Sequence, residues 1–421
     1  MIYMPDKSVD LGKWAVVACD QYTSQEEYWK EVRKVIEVCP SAYNLMLPEI
    51  YLEAPDVDEK IKIINNKMKT YMEDGILRPE KPGLMLVQRK TNLSPMRTGL
   101  MIAIDLEAYD FNKGSASLIR ATEETVRERI PPRMKIRKNA CLEMPHIMLL
   151  IDDPDKNVIE PVAEMAEAGE FGRFEYNFEL MMEGGHIRGY RIEREEIINS
   201  IVTELKKLAD KENFNAKYNI KDKPVLLYAV GDGNHSLAAA KAHWEEVKHK
   251  LGVSEHPARY ALVELLNVHD AGLVFEPIHR VLFNVDTKLL FDNMKKYFGT
   301  GISFDNRNSG KMHEIKYITE TVEGCIYLDK KLHILAVGAL QMFLDEFLHR
   351  NPQTGIDYIH GGETVDILGR KSGNVGFFLP VMDKGELFRT VIMNGVLPRK
   401  TFSMGEAEEK RYYLECRKIV D

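Results

Sequence analysis

The stretch VLLYAVGDGNHSLAAAKAHWEEVKHK, residues 225–250, decides the fold because it has the pattern of a strand, a tight turn and a helix. The run 225–230 is apolar and has the length of a buried strand. Gly231 and Gly233 permit positive φ angles and a close approach to the backbone. Asn234 suits an N-cap, and the alanines that follow it allow close helix packing. We therefore predict a strand–turn–helix unit at this position.

The same turn carries the chemistry that we expect of a site. A helix N-terminus behind glycines offers free N–H groups and the positive end of the helix dipole, which favour an anion. Asp232, His235 and Ser236 add a carboxylate, an imidazole and a hydroxyl. Two interpretations stay open: a phosphate or nucleotide site, or a structural turn in which Asn234 caps the helix and His235 packs beside it.

Composition sets the class of protein. The 421 residues are enough for two or three domains, and 44% hydrophobic with 29% charged residues is ordinary for a soluble globular protein. The net charge of −8 disfavours a protein whose main task is to hold duplex DNA. Five scattered cysteines without a CxxC pair indicate a reducing cytoplasm. Neither a signal peptide nor an apolar run of the ~18 residues that span a bilayer is expected.

Helical and strand patterns do not alternate strictly along the chain, so we predict an α+β fold with mixed sheets and packed helices. A helix is expected at about 56–74 and a hairpin at about 174–192. The polar segment after residue 212 suggests a division into an N-terminal α+β domain, 1–212, and a C-terminal α+β domain, 213–421, which carries the GDGNHS turn. The two are expected to pack tightly, since no long linker separates them.

The segment 119–139 is the most cationic part of the chain. It fits an anion clamp, because arginine suits bidentate phosphate contacts, but a solvated charged face is the interpretation that we prefer. Its cations are Arg120, Arg127, Arg129, Arg133, Lys135, Arg137 and Lys138.

Three stretches, GDGNHSLAAA, YALVELLNVHDAGLVFEPIHRVL and LPRKTFS, resemble the bacterial and archaeal family called domain of unknown function 1015. Its members are sometimes named after the ParB/Spo0J partitioning proteins. The resemblance covers nearly the whole chain, and Glu123 with Thr125 also matches the family's Glu-x-Thr segment. The other matching positions are Asp232, Gly233, His235, Asn267, Asp270, His279, Arg280, Lys400 and Thr401.

The chain departs from the family pattern at three positions. The family turn is usually Asp-Gly-His-His-Arg, whereas Asn234 replaces the first histidine and Ser236 the arginine. Thr122 stands where a histidine is expected before Glu123. If the family's arginine holds phosphate, another cation must replace it here, with Arg280 or Lys400 as candidates. Otherwise this branch has altered or lost the activity.

The turn is also similar to the nucleotide-handling turn of the ParB/sulfiredoxin-like superfamily, which includes CTP-hydrolysing ParB clamps, sulfiredoxin and free-serine kinases. This resemblance implies a ParB/sulfiredoxin-like element around the turn. It also implies a protein that binds a nucleotide or phosphorylated small molecule and can catalyse phosphoryl transfer or nucleotide hydrolysis, with Mg²⁺ and ATP, ADP or CTP.

Roles follow for the matching residues. Asp232 would bind metal or act as a base, His235 would contact phosphate or move a proton, and Arg280 would neutralise developing charge. Asp270 would be the second metal ligand. The remaining residues of the expected binding site are Gly231, Gly233, Asn234, Ser236, His279, Lys400 and Thr401.

Two other functions remain open. A non-catalytic, ParB-like module for nucleic acid or a partner protein would rest on the cationic segment, although the net charge makes nucleic acid the less favoured partner. A metal-dependent hydrolase would need ligands that lack the close spacing of an HExxH motif. No membrane is expected, and a homo-oligomer is open. The potential metal ligands are His235, His269, His279, His360, Asp232, Asp270 and Glu264.

Overall fold

The computed structural model describes residues 1–91, 94–172, 174–305 and 309–420. The chain forms two compact units. Unit 1 contains Met1–Val274 and Gly405–Asp421, and unit 2 contains Phe275–Met404. The polar segment after residue 212 lies inside unit 1, so the units divide at other positions than the expected 212/213 boundary. Unit 1 is discontinuous in sequence, because its last residues follow unit 2 in the chain.

Strands are numbered in chain order over the described residues. They are β1 (Ile2–Pro5), β2 (Leu77–Pro79), β3 (Leu84–Lys90), β4 (Arg97–Asp105), β5 (Tyr109–Asp110), β6 (Ile119–Ala121), β7 (Leu142–Glu143), β8 (Met148–Ile151), β9 (Tyr176–Glu179), β10 (His186–Ile192), β11 (Tyr228–Asp232), β12 (Tyr260–Asn267), β13 (Phe275–Phe283), β14 (Ile302–Ser303), β15 (Met312–Thr319), β16 (Glu323–Asp329), β17 (Gly355–His360), β18 (Val375–Phe378), β19 (Phe402–Met404) and β20 (Cys416–Lys418).

The α-helices of the same residues are α1 (Leu11–Trp14), α2 (Glu26–Ile36), α3 (Val57–Glu73), α4 (Ile130–Arg137), α5 (Glu160–Glu167), α6 (Glu195–Leu208), α7 (Lys211–Tyr218), α8 (Asn234–Leu251), α9 (Thr287–Phe298), α10 (Ala336–Arg350), α11 (Gly362–Gly369) and α12 (Gly385–Asn394). In the residues given above, no helix is both long enough and apolar enough to cross a membrane.

Unit 1 contains two sheets. The larger has the strand order β5-β6-β11-β8-β12-β4-β3-β10-β9. It is mixed, since β11 runs parallel to β6 and antiparallel to β8, whereas β12 runs parallel to β8 and antiparallel to β4. The smaller sheet, β2-β1-β20-β7, pairs the first strand of the chain with the last. The C-terminal segment is therefore a structural part of unit 1.

Unit 2 has one sheet with the order β14-β16-β15-β18-β13-β17, and β19 pairs with the first residues of β13. With helices packed on mixed sheets, the predicted α+β class is confirmed. The predicted helix at 56–74 and hairpin at 174–192 correspond to α3 and to β9–β10.

The strand–turn–helix prediction is confirmed by β11 and α8, although β11 begins at Tyr228 rather than residue 225. The first half of α8 is buried, and Ala238 and Ala239 pack against Ile130 of α4. Their small side chains let the two helices approach closely. Trp244, further along α8, is fully buried and donates a hydrogen bond to Glu107 Oε1 at 2.6 Å.

A buried ion pair joins the large sheet to the C-terminal segment. Arg97 of β4 lies 3.1 Å from Glu264 of β12, and both side chains are buried. The Tyr413 hydroxyl donates to Glu264 Oε2 at 3.0 Å and accepts from Arg97 Nη2 at 2.6 Å. Because buried charges are tolerated only when they are paired and hydrogen-bonded, these three side chains depend on one another.

We expect Arg97→Met to lower the free energy of unfolding of unit 1 by about 3–5 kcal/mol, because it leaves the Glu264 charge buried without its cation. Guanidinium chloride unfolding followed by tryptophan fluorescence measures this, since all three tryptophans of the chain lie in unit 1. Lys138→Met is the control, because it breaks an exposed pair with Glu246 and should change stability little. Equal effects of the two variants would contradict the dependence on the buried pair.

Candidate functional site

The turn between β11 and α8 is built around Gly233. This residue has φ of +79°, and a Cβ placed on it would lie 2.9 Å from Cγ1 and 3.1 Å from Cα of Ile147. Only glycine therefore fits. The helix begins one residue earlier than predicted, since Gly233 is the N-cap and Asn234 is already helical. The expectation that Asn234 caps the helix is wrong, because the left-handed glycine itself turns the chain into α8.

The start of α8 has the properties of an anion site. Among the described residues, no side chain caps this helix and no acidic residue lies in its first turn. Its first N–H groups and its positive dipole end are therefore not neutralised by an acidic residue of that turn. Asn234 is more than nine-tenths buried there, and its Oδ1 atom finds no hydrogen-bond partner in the described part of the chain.

Asp232, the last residue of β11, pairs with Lys410 of the C-terminal segment. Its Oδ2 atom lies 3.4 Å from Lys410 Nζ, and both side chains are largely buried. Backbone bonds hold this segment along residues 16–18, with Ala18 donating to Lys410 O at 2.7 Å and Tyr412 donating to Val16 O at 2.9 Å. The cation is thus positioned by main-chain pairing.

Asp20 adds a second carboxylate at the end of the same residue 16–18 segment. It accepts a hydrogen bond from Gln21 Nε2 at 2.8 Å. Burial alone would raise the pKa of Asp20, but the charges of His146 and Lys410 hold it below its ordinary value. Asp20 therefore ionises more readily than an ordinary aspartate.

Asp232 shows the opposite behaviour. Burial raises the pKa of Asp232, and the negative charge of Asp20 raises it further against the opposing effect of Lys410. For Lys410, burial would lower the pKa, yet Asp232 and Asp20 keep it above its ordinary value. Two neighbouring carboxyl groups with separated pKa values and one cation form an arrangement suited to proton transfer.

A histidine and a serine meet beside these charges. His146 precedes β8, and its Nε2 atom lies 2.9 Å from Ser236 Oγ in the first turn of α8. The imidazole packs edge-on against the ring of Tyr412, with 5.2 Å between ring centroids. His146 and Lys410 also line a cavity of about 10 Å³, room for roughly one water molecule.

His235 contacts the backbone of the segment that precedes α4. Its Nε2 atom accepts a hydrogen bond from Val126 N at 3.2 Å, so the imidazole holds the segment that carries the Glu-x-Thr motif. In that segment Thr122 donates to Val230 O at 2.6 Å, and the charge of Glu123 acts on Lys410. This geometry makes His235 a residue that orders the rim of the site, while its contact with phosphate stays a prediction.

In the described part of the chain, four cations of the cationic segment form ion pairs, and the pairs of Arg133 and Arg137 are largely buried, so the interpretation as a solvated charged face does not describe these two arginines. Arg133 and Arg137 form ion pairs with Glu49 and Glu143. Arg120 is buried and donates to the main-chain carbonyls of Ser117, Pro224 and Val225, so it fixes backbone rather than an anion. Two further ion pairs are Lys135–Asp58 and Lys138–Glu246.

Arg280, His279, Lys400 and Thr401 belong to unit 2. Arg280 is fully buried, and its guanidinium donates to Ile278 O, to Arg399 O at 2.8 Å and to Gln341 Oε1 at 3.2 Å.

The neighbours of Arg280 are similarly engaged in unit 2. His279 Nδ1 accepts from Leu379 N at 3.0 Å, and Thr401 Oγ1 donates to Pro398 O at 2.5 Å. The hydrogen bond from Arg280 to Arg399 O joins β13 to the 398–401 tail. Lys400 is exposed, with φ of +54°.

Asn267 and Asp270 of the family motif order the turn after β12. Asn267 Nδ2 donates to Asp153 O and to Glu160 Oε1, each at 2.8 Å. Asp270 accepts from Thr98 N at 3.0 Å and from Gly272 N at 2.6 Å. The carboxylate expected to bind metal is therefore engaged by the backbone around its own turn.

The candidate ligands of a metal hydrolase do not converge. Within residues 1–91, 94–172, 174–305 and 309–420, no group of three or more His, Cys, Asp or Glu side chains could hold a metal ion. His269 instead bonds Asp152 Oδ1 at 2.6 Å, Glu264 pairs with Arg97, and His279 and His360 belong to unit 2. A transition-metal centre built by protein ligands has no support here.

The chain belongs to the family described as "Protein of unknown function (DUF1015)", whose model matches residues 2–348. The comparison with curated proteins found no match.

Among solved structures, the chain is similar to a conserved hypothetical protein from Pyrococcus furiosus at 11% identity and a TM-score of 0.36, covering 76% of this chain and 95% of that chain. C-terminally truncated SbnI from Staphylococcus aureus matches at 10% identity and 0.37, covering 72% and 82%. A free serine kinase in complex with AMP matches at 11% and 0.37, covering 75% and 91%. The function is therefore inferred from the site's own side chains.

Sequence patterns did not single out three of the side chains that meet at this site. Asp20, His146 and Lys410 lie far apart in the chain and far from the turn. Asp20 follows an apolar run and could have been noticed as a strand-end carboxylate. His146 and Lys410 offered no local signal, because their neighbours in space come from other segments.

We expect Lys410→Met to raise the pKa values of both Asp232 and Asp20, because the Lys410 cation favours their ionised forms. Carbon-13 NMR titration of the aspartate carboxyl groups measures the change, and the two groups are to be fitted as a coupled pair.

Lys248→Met is the matched control for this titration. Lys248 lies near the other end of α8, about 20 Å along the helix from its start, so its loss should leave both carboxyl titrations in place. A Lys410→Met variant with unshifted carboxyl titrations would show that the ion pair does not form in solution.

Proposed function

We propose that the start of α8 and the cluster of Asp20, Asp232 and Lys410 bind a nucleotide or a phosphorylated small molecule, and that the site catalyses phosphoryl transfer or nucleotide hydrolysis. The observation that carries this proposal is the Asp232–Lys410 pair, 3.4 Å apart, at the end of the strand that leads into an uncapped helix N-terminus. Phosphate is the anion that helix N-termini and a neighbouring ammonium bind together in proteins.

Lys410 takes the place of a missing cation in this proposal. Family members usually carry arginine at the position of Ser236, and the sequence alone suggested Arg280 or Lys400 as substitutes. Arg280 donates to carbonyls of unit 2, whereas Lys410 lies beside the turn itself. A phosphate oxygen at the start of α8 would share Lys410 with Asp232.

The separated carboxyl pKa values support proton transfer. Asp232, whose pKa is raised, can carry a proton that a leaving oxygen or an attacking hydroxyl needs to exchange. Asp20 keeps its charge and, with Lys410, fixes the local field. The roles expected for Asp232 and Ser236 are retained, and Asp20 replaces Asp270 as the second carboxylate.

Mg²⁺ with ATP, ADP or CTP is the cofactor set that fits such a site. Mg²⁺ is commonly held by one or two carboxylates together with substrate phosphates, so a full cage of protein ligands is not required. Asp20, which keeps its charge, would hold it together with the substrate phosphates, and the ion would neutralise phosphate charge. The turn resembles that of ParB/sulfiredoxin-like proteins, which include kinases, and this resemblance supports a nucleotide as the ligand. The expected location, a reducing cytoplasm, agrees with a nucleotide ligand.

Calorimetric titration tests the proposal. We expect the protein to bind at least one of ATP, ADP and CTP in the presence of Mg²⁺, and we expect Lys410→Met to weaken binding by about 10- to 100-fold. That range corresponds to the loss of a charge-assisted hydrogen bond of about 1.5–3 kcal/mol.

Lys248→Met removes a charge of the same type from the far end of α8 and should keep the wild-type affinity. Titrations with inorganic phosphate and pyrophosphate separate recognition of the phosphate from recognition of the base. If none of these five compounds binds the wild-type protein, the proposed function is wrong.

A further inference from the structure

The structure places a hydroxyl beside an imidazole at the start of α8. Ser236 Oγ lies 2.9 Å from His146 Nε2, within the range of a hydroxyl–imidazole hydrogen bond. Asp20 is near enough for its charge and that of His146 to influence each other. The three residues come from three distant segments, 20, 146 and 236, which unit 1 brings together.

We propose that Ser236 is a covalent nucleophile, that His146 is its general base, and that phosphate esters or anhydrides are hydrolysed through a phosphoserine at this position. The proposal deepens the proposed function and rests on it, since the phosphoryl group must first bind at the start of α8. The inference goes beyond the proposed function because it assigns a chemical step to Ser236, where the chain departs from the family turn, and to His146, which lies outside the family motifs.

The surroundings of Ser236 favour attack on a phosphoryl group. The hydroxyl sits in the first turn of an uncapped helix, where main-chain N–H groups and the dipole stabilise charge that develops on phosphoryl oxygens. A strand that leads through a tight glycine turn into a helix presents the hydroxyl in the first helical turn, as the nucleophile elbow of α/β-hydrolases presents its serine. Lys410 lies on the Asp232 side of the same turn.

His146 presents its Nε2 atom to the Ser236 hydroxyl. Its Nδ1 atom is buried and, in the described residues, has no hydrogen-bond partner. The step needs the tautomer in which Nδ1 carries the proton and Nε2 accepts. Asp20 would stabilise the imidazolium through its charge, and the edge-on ring of Tyr412 fixes the plane of the imidazole.

The nearby thiol is a poor competitor. Burial and the charge of Asp20 raise the pKa of the Cys19 thiol well above its ordinary value, so Cys19 is not ionised near neutral pH. Ser236 is therefore the nucleophilic side chain of the site that already contacts a base.

The chemical balance is complete with water as the second reactant. In the first step Ser236 Oγ bonds to phosphorus, its proton passes to His146 Nε2, and the bond from phosphorus to the leaving oxygen breaks. That oxygen takes a proton from Asp232 or leaves as an anion. In the second step water attacks phosphorus. The proton of the water goes to Asp232 if Asp232 gave up its own proton in the first step, and otherwise to solvent. The serine–phosphorus bond breaks, and Ser236 regains a proton from His146. The net reaction is hydrolysis of a phosphate ester or anhydride.

A fluorophosphonate probe tests the nucleophile directly, because it forms a stable serine–phosphorus bond with loss of fluoride. The intact protein is incubated with the probe, digested and mapped by tandem mass spectrometry. We expect Ser236 to be labelled in the folded protein and not after heat denaturation, and we expect ATP or inorganic phosphate at saturating concentration to slow the labelling.

The variants separate catalysis from packing. His146→Asn keeps a hydrogen-bonding side chain beside Ser236 but removes the base, so the labelling rate should fall by about 10²–10⁴-fold. His249→Asn, on the exposed far end of α8, should leave the rate unchanged. Tryptophan fluorescence of each variant verifies that unit 1 is folded.

The possible results distinguish this inference from the proposed function. Wild-type protein that binds nucleotide or phosphate in the calorimeter but shows no label on Ser236 overturns the phosphoserine step alone. A Ser236 label whose rate is the same in His146→Asn overturns the role of the base. Absence of both binding and labelling removes the two proposals together. Binding with a His146-dependent label on Ser236 supports both.

Discussion

The contact between Lys410 and Asp232 is the interaction on which the site depends. A largely buried carboxylate at the end of a strand is unfavourable unless a cation compensates it, and the cation here arrives from the last segment of the chain. This segment can reach the turn only because it returns to unit 1 after unit 2 and pairs with residues 16–18 and with β1. The ion pair and the discontinuous topology therefore require each other.

Burial makes the ion pair necessary, and in the same buried surroundings the pKa values of Asp20 and Asp232 differ. Lys410 and His146 lower the pKa of both Asp20 and Asp232, and His146 has the largest lowering effect on Asp20, whereas the negative charge of Asp20 raises the pKa of Asp232. One acid that keeps its charge beside one that tends to keep its proton is the usual result when two carboxyl groups occupy one buried site. The asymmetry is a property of the environment, since the two side chains are chemically identical.

The family motifs divide into framework and site. Asn267, Asp270 and Arg280 bond to main-chain groups of distant segments, at Asp153, Thr98 and Arg399, and these contacts give the three motif residues a structural role. Gly233 and Asp232 form the turn, while His235 orders the Glu-x-Thr segment beside it. The family motifs therefore include both structural contacts and the turn that begins α8.

The sequence by itself determined the local features. It predicted the α+β class, the strand–turn–helix unit and an N-terminus of α8 suited to an anion, because apolar periodicity, glycine and small residues act over a few neighbouring positions. It also favoured a solvated charged face for segment 119–139, whereas the tertiary structure places Arg133 and Arg137 in largely buried ion pairs. Only the tertiary structure decided which distant side chains meet at the turn. Lys410 follows Asp232 by 178 residues, and Asp20 and His146 precede it by 212 and 86 residues, so no local pattern could connect them. Ion pairs between such distant residues depend on the order of strands in the sheet and on the packing of the C-terminal segment in unit 1. Sequence periodicity predicts neither of these.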